Sequence, residues 1–143
     1  MEVSINRPIP RLAWLALLFF SSLLWADEDH HHALTQDEIG SVNFVTSCSH
    51  EMTADFNRAV ALLHSFQYEQ SRGMFEEIAK NDPDCAMAEW GIAMSHYHGL
   101  WQNGDIEAGR VALQKAKQMA SSNKNTTTRE KSYIDNYTAA EFF

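Results

Sequence analysis

The sequence predicts an all-α domain of helical hairpins that follows an N-terminal export segment. Apolar residues recur three and four positions apart in five stretches after Met52, which is the spacing of amphipathic helices. Short polar or glycine-containing breaks separate these stretches. None of the five stretches has a convincing strand pattern. An apolar run near the N-terminus directly follows two arginines, as in exported proteins.

Residues 1–26 have the organisation of a signal peptide. Arg7 and Arg11 precede an apolar run of 14 residues, Leu12–Trp25, which is too short for a comfortable membrane span. The run ends at Ala26, and acidic residues follow at once. A retained membrane anchor is the alternative. We expect cleavage after Ala26 and a soluble mature chain in the periplasm or outside the cell.

The mature chain is expected to be strongly acidic. Without residues 1–26 it keeps 9 basic and 18 acidic residues, which give a formal charge of −9 over 117 residues. Binding to nucleic acid or to an anionic membrane surface requires a basic stripe, and this composition has none. We therefore expect neither nucleic acid nor a membrane as a partner.

Residues 27–51 are predicted to form a polar tail and an extended lead-in. The tail contains the triplet His30–His32 beside three acids, and we expect it to be solvated, with loose binding of a divalent ion as the alternative. Thr35 and Glu38 have the spacing of a capping box, which predicts one helical turn before Gly40. Three apolar residues mark the extended part, namely Val42, Phe44 and Val45.

Five helices are predicted from Met52 onward. Their apolar stripes are, in chain order, Phe56, Ala59, Val60, Leu63 and Phe66; Ser71, Met74, Phe75, Ile78 and Ala79; Ala86, Trp90, Ala93, Met94 and Tyr97; Ala108, Val111, Ala112, Ala116 and Met119; and Tyr133, Ile134, Tyr137 and Ala140. Asp82 is expected to cap the third helix, with Pro83 at its first position. Thr127 and Glu130 form a capping box that begins the fifth helix.

The predicted helices repeat along the chain. The first stripe maps onto the third with an offset of 34 residues, from Phe56 on Trp90 to His64 on His98, and the second maps onto the fourth with an offset of 37. A helix–turn–helix period of this length resembles the tetratricopeptide repeat (TPR), and the stretch Ser71–Pro83, read as S-x3-F-x2-I-x4-P, carries the resemblance. Three stretches, residues 47–49, 62–66 and 85–94, also resemble those of a group of exported bacterial TPR proteins.

The resemblance implies an α-solenoid of about two and a half units over residues 52–143. Residues 52–84 would be the first unit, 85–120 the second, and 127–143 the first helix of a third. The sequence stops inside that helix, where stacked repeats need a neighbour to cover them. We expect either a C-terminally incomplete chain or self-association through the open end.

The resemblance also implies a binding surface, because the first helices of TPR units line a concave groove. The residues expected to face this groove are Phe56, Val60, Leu63, His64, Met87, Trp90, Met94, Tyr97 and His98. They would form an aromatic, methionine-rich surface suited to an apolar peptide. The alternative is that the aromatic residues fill the core, because Phe56 and Trp90 lie one position later than the family pattern places its tryptophan.

The two cysteines of the chain, Cys48 and Cys85, favour a disulfide in an exported protein. Two buried thiols, or bonds to cysteines of another chain, are the alternatives. In stacked hairpins the starts of successive first helices are neighbours, so the resemblance makes a Cys48–Cys85 bridge geometrically reasonable. We expect this bridge to be structural.

The sequence favours binding over catalysis. It has no nucleophile elbow, no glycine-rich phosphate loop and no H-E-x-x-H pattern, and the contiguous Ser49–Glu51 is not a triad. His64 and His98 occupy equivalent positions, but two histidines are too few ligands for zinc. We expect an exported protein-interaction module with a protein or peptide partner and with no cofactor, metal or catalytic activity. The alternatives are an envelope protein that binds a metal or small ligand through those histidines, and a structural segment of a longer protein.

Overall fold

The computed structural model describes residues 35–97 and 104–139, and these ranges contain six α-helices, one short 3-10 turn and no strand. The helices are α1 Gln36–Ile39, α2 Thr53–His64, α3 Tyr68–Asn81, α4 Ala86–His96, α5 Ile106–Ser122 and α6 Thr128–Ala139. The all-α expectation is confirmed. The predicted signal peptide, the His30–His32 triplet, His98 and the chain end at 140–143 lie outside the described residues.

Each of the helices α2 to α5 packs on the next one along the chain. In addition, α2 contacts α4, and α4 contacts α6. The main core lies between these helices, with Phe56, Phe75, Met87 and Ala93 at its centre, all 1 % exposed or less. Among the described residues, no helix is both long enough and apolar enough to cross a membrane.

Close contact between α3 and α4 depends on Gly91. A Cβ atom at this position would lie 2.4 Å from the ring of Phe75, which is fully buried. Beside this contact the hydroxyl of Ser71 donates to the carbonyl oxygen of Ala59 over 2.9 Å, and that of Ser95 donates to Gly91 over 2.8 Å. The absent side chain therefore lets a large aromatic ring reach the backbone of α4.

The capping box predicted at Thr35 and Glu38 is confirmed. The carboxylate of Glu38 accepts hydrogen bonds from the Thr35 backbone N–H over 2.7 Å and from its hydroxyl over 2.8 Å. The short helix α1 that follows places Ile39 against Ala61, Leu62 and Met74, where it is 9 % exposed. This packing covers the outer side of the first hairpin.

Phe66 was predicted to lie on the buried stripe of the first helix, and this prediction is wrong. Helix α2 ends at His64, and Phe66 has a φ of +61° and is 52 % exposed. Its N–H donates to the carbonyl of Leu63 and the N–H of Gln67 donates to that of Leu62, over 3.2 and 2.9 Å. These two bonds form the left-handed helix end at which glycine is usual, so the chain turns before the side chain can reach the core.

The predicted start of the third helix is also wrong. Helix α4 begins at Ala86, and Asp82–Asp84 form a turn ahead of it. The carbonyl of Asp82 accepts from the Cys85 N–H over 3.0 Å, and its side chain accepts from the Asp84 N–H over 3.3 Å. Asp82 therefore stabilises the end of one helix and the following turn, instead of capping the next helix.

Candidate functional site

Residues 41–49, which we call the lead-in segment, cross the helices α2, α4 and α6. The segment contains no helix or strand. Over residues 41–46 its side chains alternate between exposed and half-buried, with Val42, Phe44 and Thr46 on the half-buried side. This period of two is the pattern of an extended chain lying on a surface. We call the surface that the three helices present to this segment the first-helix face.

Phe44 is the centre of an aromatic cluster on the first-helix face. Its ring lies 5.7 Å from Phe56 on α2, 5.9 Å from Trp90 on α4 and 5.3 Å from Tyr133 on α6, measured between ring centroids. The guanidinium carbon of Arg129 lies 5.4 Å from the centroid of the same ring. One side chain of the lead-in segment thus contacts all three helices, at distances typical of favourable aromatic and cation–π contacts.

Polar side chains on α2 and α6 bind the backbone of the lead-in segment. Asn57 accepts a hydrogen bond from the N–H of Phe44 over 2.8 Å. Glu130 accepts from the N–H of Ser47 over 2.7 Å and from its hydroxyl over 3.0 Å. Arg129 donates to the carbonyl oxygen of Val45. These contacts recognise backbone groups, which every peptide has, together with one hydroxyl.

Glu130 is fully buried and accepts four hydrogen bonds. Two come from Ser47, and two come from the N–H and hydroxyl of Thr127, each over 2.7 Å, which confirms the capping box predicted at the start of the fifth helix. Burial opposes ionisation of this carboxyl group, but the hydrogen bonds from Ser47 and Thr127 outweigh it and hold the pKa of Glu130 below its usual value. The carboxylate is therefore the form that suits this site.

The nine residues expected to line a groove are placed differently from one another. Phe56, Val60, Met87, Trp90 and Met94 are buried in the core, each 7 % exposed or less. Leu63 and Tyr97 are half-buried, His64 is exposed, and His98 lies outside the described residues. The five buried side chains do not line an open groove in this structure, because they pack between helices, as Phe56 does against Phe75 at 5.3 Å, and because Phe44 lies over Phe56 and Trp90.

Sequence reasoning missed Asn57 and Arg129, and it assigned Phe44 and Glu130 only to the lead-in and to a helix cap. The alternation of polar and apolar residues over 41–44 was a signal for a segment with one covered side. No local pattern indicates which surface covers that side, because Ser47 and Glu130 lie 83 positions apart.

Cys48 and Cys85 are joined by a disulfide, with their Cα atoms 4.6 Å apart, as predicted. The bond connects the end of the lead-in segment to the residue that precedes α4. Next to it, the carboxylate of Asp82 accepts a hydrogen bond from the N–H of Ser49 over 2.6 Å. The lead-in segment is therefore fixed to the protein at this end by a covalent bond and a charged hydrogen bond.

Among the described residues, one group of three potential metal ligands lies close enough together to hold an ion. It consists of Cys48, Asp82 and Cys85, whose ligand atoms all lie within 4.8 Å of one another. In the bridged protein the two sulfur atoms are bonded to each other and offer no thiolate. His64, the described member of the predicted histidine pair, does not belong to this group.

Comparisons of the chain with protein-family models, with curated proteins and with solved structures found no match.

Proposed function

We propose that this protein is an exported protein-interaction module built from TPR-like hairpins, and that its ligands are extended peptides that bind the first-helix face. The proposal assigns no catalytic step to the chain. The interactions at this face are aromatic packing and hydrogen bonds to peptide backbone, which are the chemistry of recognition.

One observation carries the proposal, namely that three helices together bind an extended segment. Helices α2 and α6 form hydrogen bonds with its backbone, and all three helices contact the ring of Phe44. Asn57 and Glu130 each accept a backbone N–H of the segment, and Arg129 donates to one of its carbonyl groups. Phe44 supplies one aromatic anchor among the rings of the face. A site that holds one extended segment in this way has the chemistry to hold another of the same kind.

The helix packing supports the TPR-like part of the proposal. Paired positions of the first and third apolar stripes have the same environment, because Phe56 and Trp90 are both buried, and so are Ala59 and Ala93. Helix α2 contacts α4, and α4 contacts α6, each time past an intervening helix, and stacked hairpins would make contacts of this kind.

The Cys48–Cys85 bond supports the exported part of the proposal. Disulfides persist in oxidising compartments, such as the periplasm or the extracellular space. The proposed signal peptide at 1–26 would direct the chain there.

A peptide added in trans tests the proposed binding. The Phe44→Ala substitution in the full chain would weaken the hold of the face on its own segment. A fluorescently labelled peptide with the sequence of residues 41–47 should then bind this variant about tenfold more tightly than it binds the wild type. The reason is that in the wild type the tethered segment competes at an effective concentration on the order of millimolar. Fluorescence anisotropy would measure both affinities.

Two controls make the result specific to the face. Val45→Ala alters a residue of the same segment that is 63 % exposed, and this variant should bind the peptide as weakly as the wild type. A peptide with alanine at the phenylalanine position should lose binding to the Phe44→Ala protein. Equal binding of the two peptides, or no binding of either to a folded Phe44→Ala protein, would contradict the proposed function.

A further inference from the structure

The residues Cys48, Asp82 and Cys85 together have the composition of a metal site. The disulfide prevents metal binding there, because the bonded sulfur atoms offer no thiolate. Cys48 and Asp82 are half-buried and Cys85 is buried, so the group is open to solvent on one side. Its ligand atoms lie within 4.8 Å of one another. Two sulfur ligands and one carboxylate are a donor set that zinc accepts.

The carboxylate of Asp82 accepts hydrogen bonds from two backbone N–H groups. One of its oxygens accepts from the N–H of Ser49 over 2.6 Å, and the other accepts from the N–H of Asp84 over 3.3 Å. Each carboxylate oxygen has a second lone pair, so these bonds leave capacity for a metal ion. Hydrogen-bonded carboxylates of this kind are typical of metal sites, in which outer partners orient the ligand.

Reduction converts the bridge into two further ligands. A dithiol reductant transfers two electrons and two protons to the Cys48–Cys85 bond, and the reductant itself becomes a disulfide. The two thiols then lie beside a carboxylate that is already oriented. Ionisation of both thiols without a cation would place three negative charges within this small space, whereas a divalent ion compensates two of them.

We propose that the reduced protein binds a zinc ion through the thiolates of Cys48 and Cys85 and the carboxylate of Asp82. Tetrahedral zinc with bonds of about 2.3 Å to sulfur and about 2.0 Å to oxygen requires only that the sulfur atoms separate after the bond breaks. A water molecule takes the fourth position on the open side. Binding releases the two thiol protons.

The ion would replace the disulfide as the link between the lead-in segment and the start of α4. The same three residues would then hold this junction together in either redox condition, by a covalent bond when oxidised and by the metal when reduced. The inference rests on the geometry of the junction and is independent of the proposed peptide binding.

Cobalt(II) titration of the full chain tests the proposal. The protein is reduced with a phosphine, which becomes the phosphine oxide, and cobalt is added under anaerobic conditions. The expected result is a thiolate-to-cobalt charge-transfer band that saturates at one ion per chain, with release of two protons per ion and loss of the band when zinc is added. The oxidised protein should show no such band.

Three variants assign the ligands. Asp82→Asn should weaken cobalt binding at least tenfold, and the double variant Cys48→Ser, Cys85→Ser should abolish the charge-transfer band. Asp84→Asn is the matched control, because it changes a neighbouring exposed carboxylate that is outside the ligand group, and it should retain the affinity of the reduced wild type.

Two results would overturn the proposal, namely no thiolate band in the reduced wild type and equal affinities of Asp82→Asn and the wild type. Circular dichroism recorded at each stage covers the case in which reduction unfolds the chain. Zinc is then expected to restore the helical signal in the wild type but not in the double cysteine variant, and failure to restore it also counts against the site.

Discussion

The backbone N–H of Ser47 donates to Oε1 of Glu130 over 2.7 Å and thereby connects the lead-in segment to the first turn of α6. The other carboxylate oxygen of Glu130 accepts from Thr127 and caps the same helix. One buried carboxylate therefore stabilises a helix end and, at the same time, a contact between distant parts of the chain.

Replacement of Glu130 with glutamine should destabilise the protein by about 2–3 kcal/mol. The amide nitrogen would face donors from Ser47 or Thr127 and leave them unsatisfied in a buried site. Urea unfolding would measure the loss of free energy. Glu107→Gln serves as the control, because the Glu107 side chain is 78 % exposed. This substitution should change the free energy of unfolding by no more than about 0.5 kcal/mol. A similar loss in both variants would refute the special role of Glu130.

The lowered pKa of Glu130 predicts that the stability of the protein depends on pH. The pKa of this carboxyl group is lower in the folded protein than in the unfolded chain, so its contribution is fully present above the unfolded value of about 4.3 and is lost as the pH falls through the folded value. Urea midpoints measured from pH 6 downward should fall more steeply for the wild type than for Glu130→Gln. Parallel curves would be inconsistent with this account.

Substitution of alanine for two helical glycines, Gly73 and Gly91, should have opposite effects on the stability of the protein. At Gly73 a Cβ atom meets nothing within 4 Å, so alanine should stabilise α3 by about 0.5–1 kcal/mol. At Gly91 the added atom would overlap the buried ring of Phe75, and overpacking of this kind costs about 1–3 kcal/mol, which exceeds the gain in helix propensity. Thermal or urea unfolding of the two variants should therefore shift in opposite directions. A stabilised Gly91→Ala protein would show that Phe75 moves away at little cost.

The protein should be more stable with glycine in place of Phe66. A φ of +61° costs a side chain about 1–2 kcal/mol, and glycine avoids this cost at the left-handed end of a helix. The lost ring contact with Tyr68, 6.3 Å away, offsets part of the gain, so we expect a net increase of about 0.5–1 kcal/mol for Phe66→Gly. Phe66→Ala removes the same ring but keeps the strained backbone, and its unfolding curve should show no such increase.

His96 should titrate below its usual range. Burial lowers the pKa of His96, and the positive charge of Arg72 lowers it further, against smaller opposite contributions from Asp105, Glu76 and Glu69. Its contribution to stability is therefore present above the unfolded value of about 6.5 and is lost as the pH falls toward the folded value. An NMR titration of the wild type and of Arg72→Gln should show a higher pKa in the variant. Lys80→Gln, which changes an exposed cation elsewhere on α3, should leave the titration unchanged.

The class of fold and most helices were predictable from the sequence, because an amphipathic helix is recorded in the local spacing of its apolar residues. The capping boxes at Thr35 and Thr127 were predictable for the same reason, since each depends on residues three positions apart. One error arose where a long-range contact competed with a local preference. Asp82 has the chemistry of a helix cap, but its carboxylate is bound to Ser49 and to its own turn.

The sequence by itself determined that this chain forms helices, where most of them lie, and which cysteines are available to pair. Only the tertiary structure decided that the lead-in segment lies on the first-helix face, that Phe44 covers the aromatic residues expected to form a groove, and that Asp82 lies beside the Cys48–Cys85 bond. The physical reason is that local periodicity specifies which side of a segment is buried, whereas the partner that buries it is selected by packing and hydrogen bonding between residues far apart in the chain.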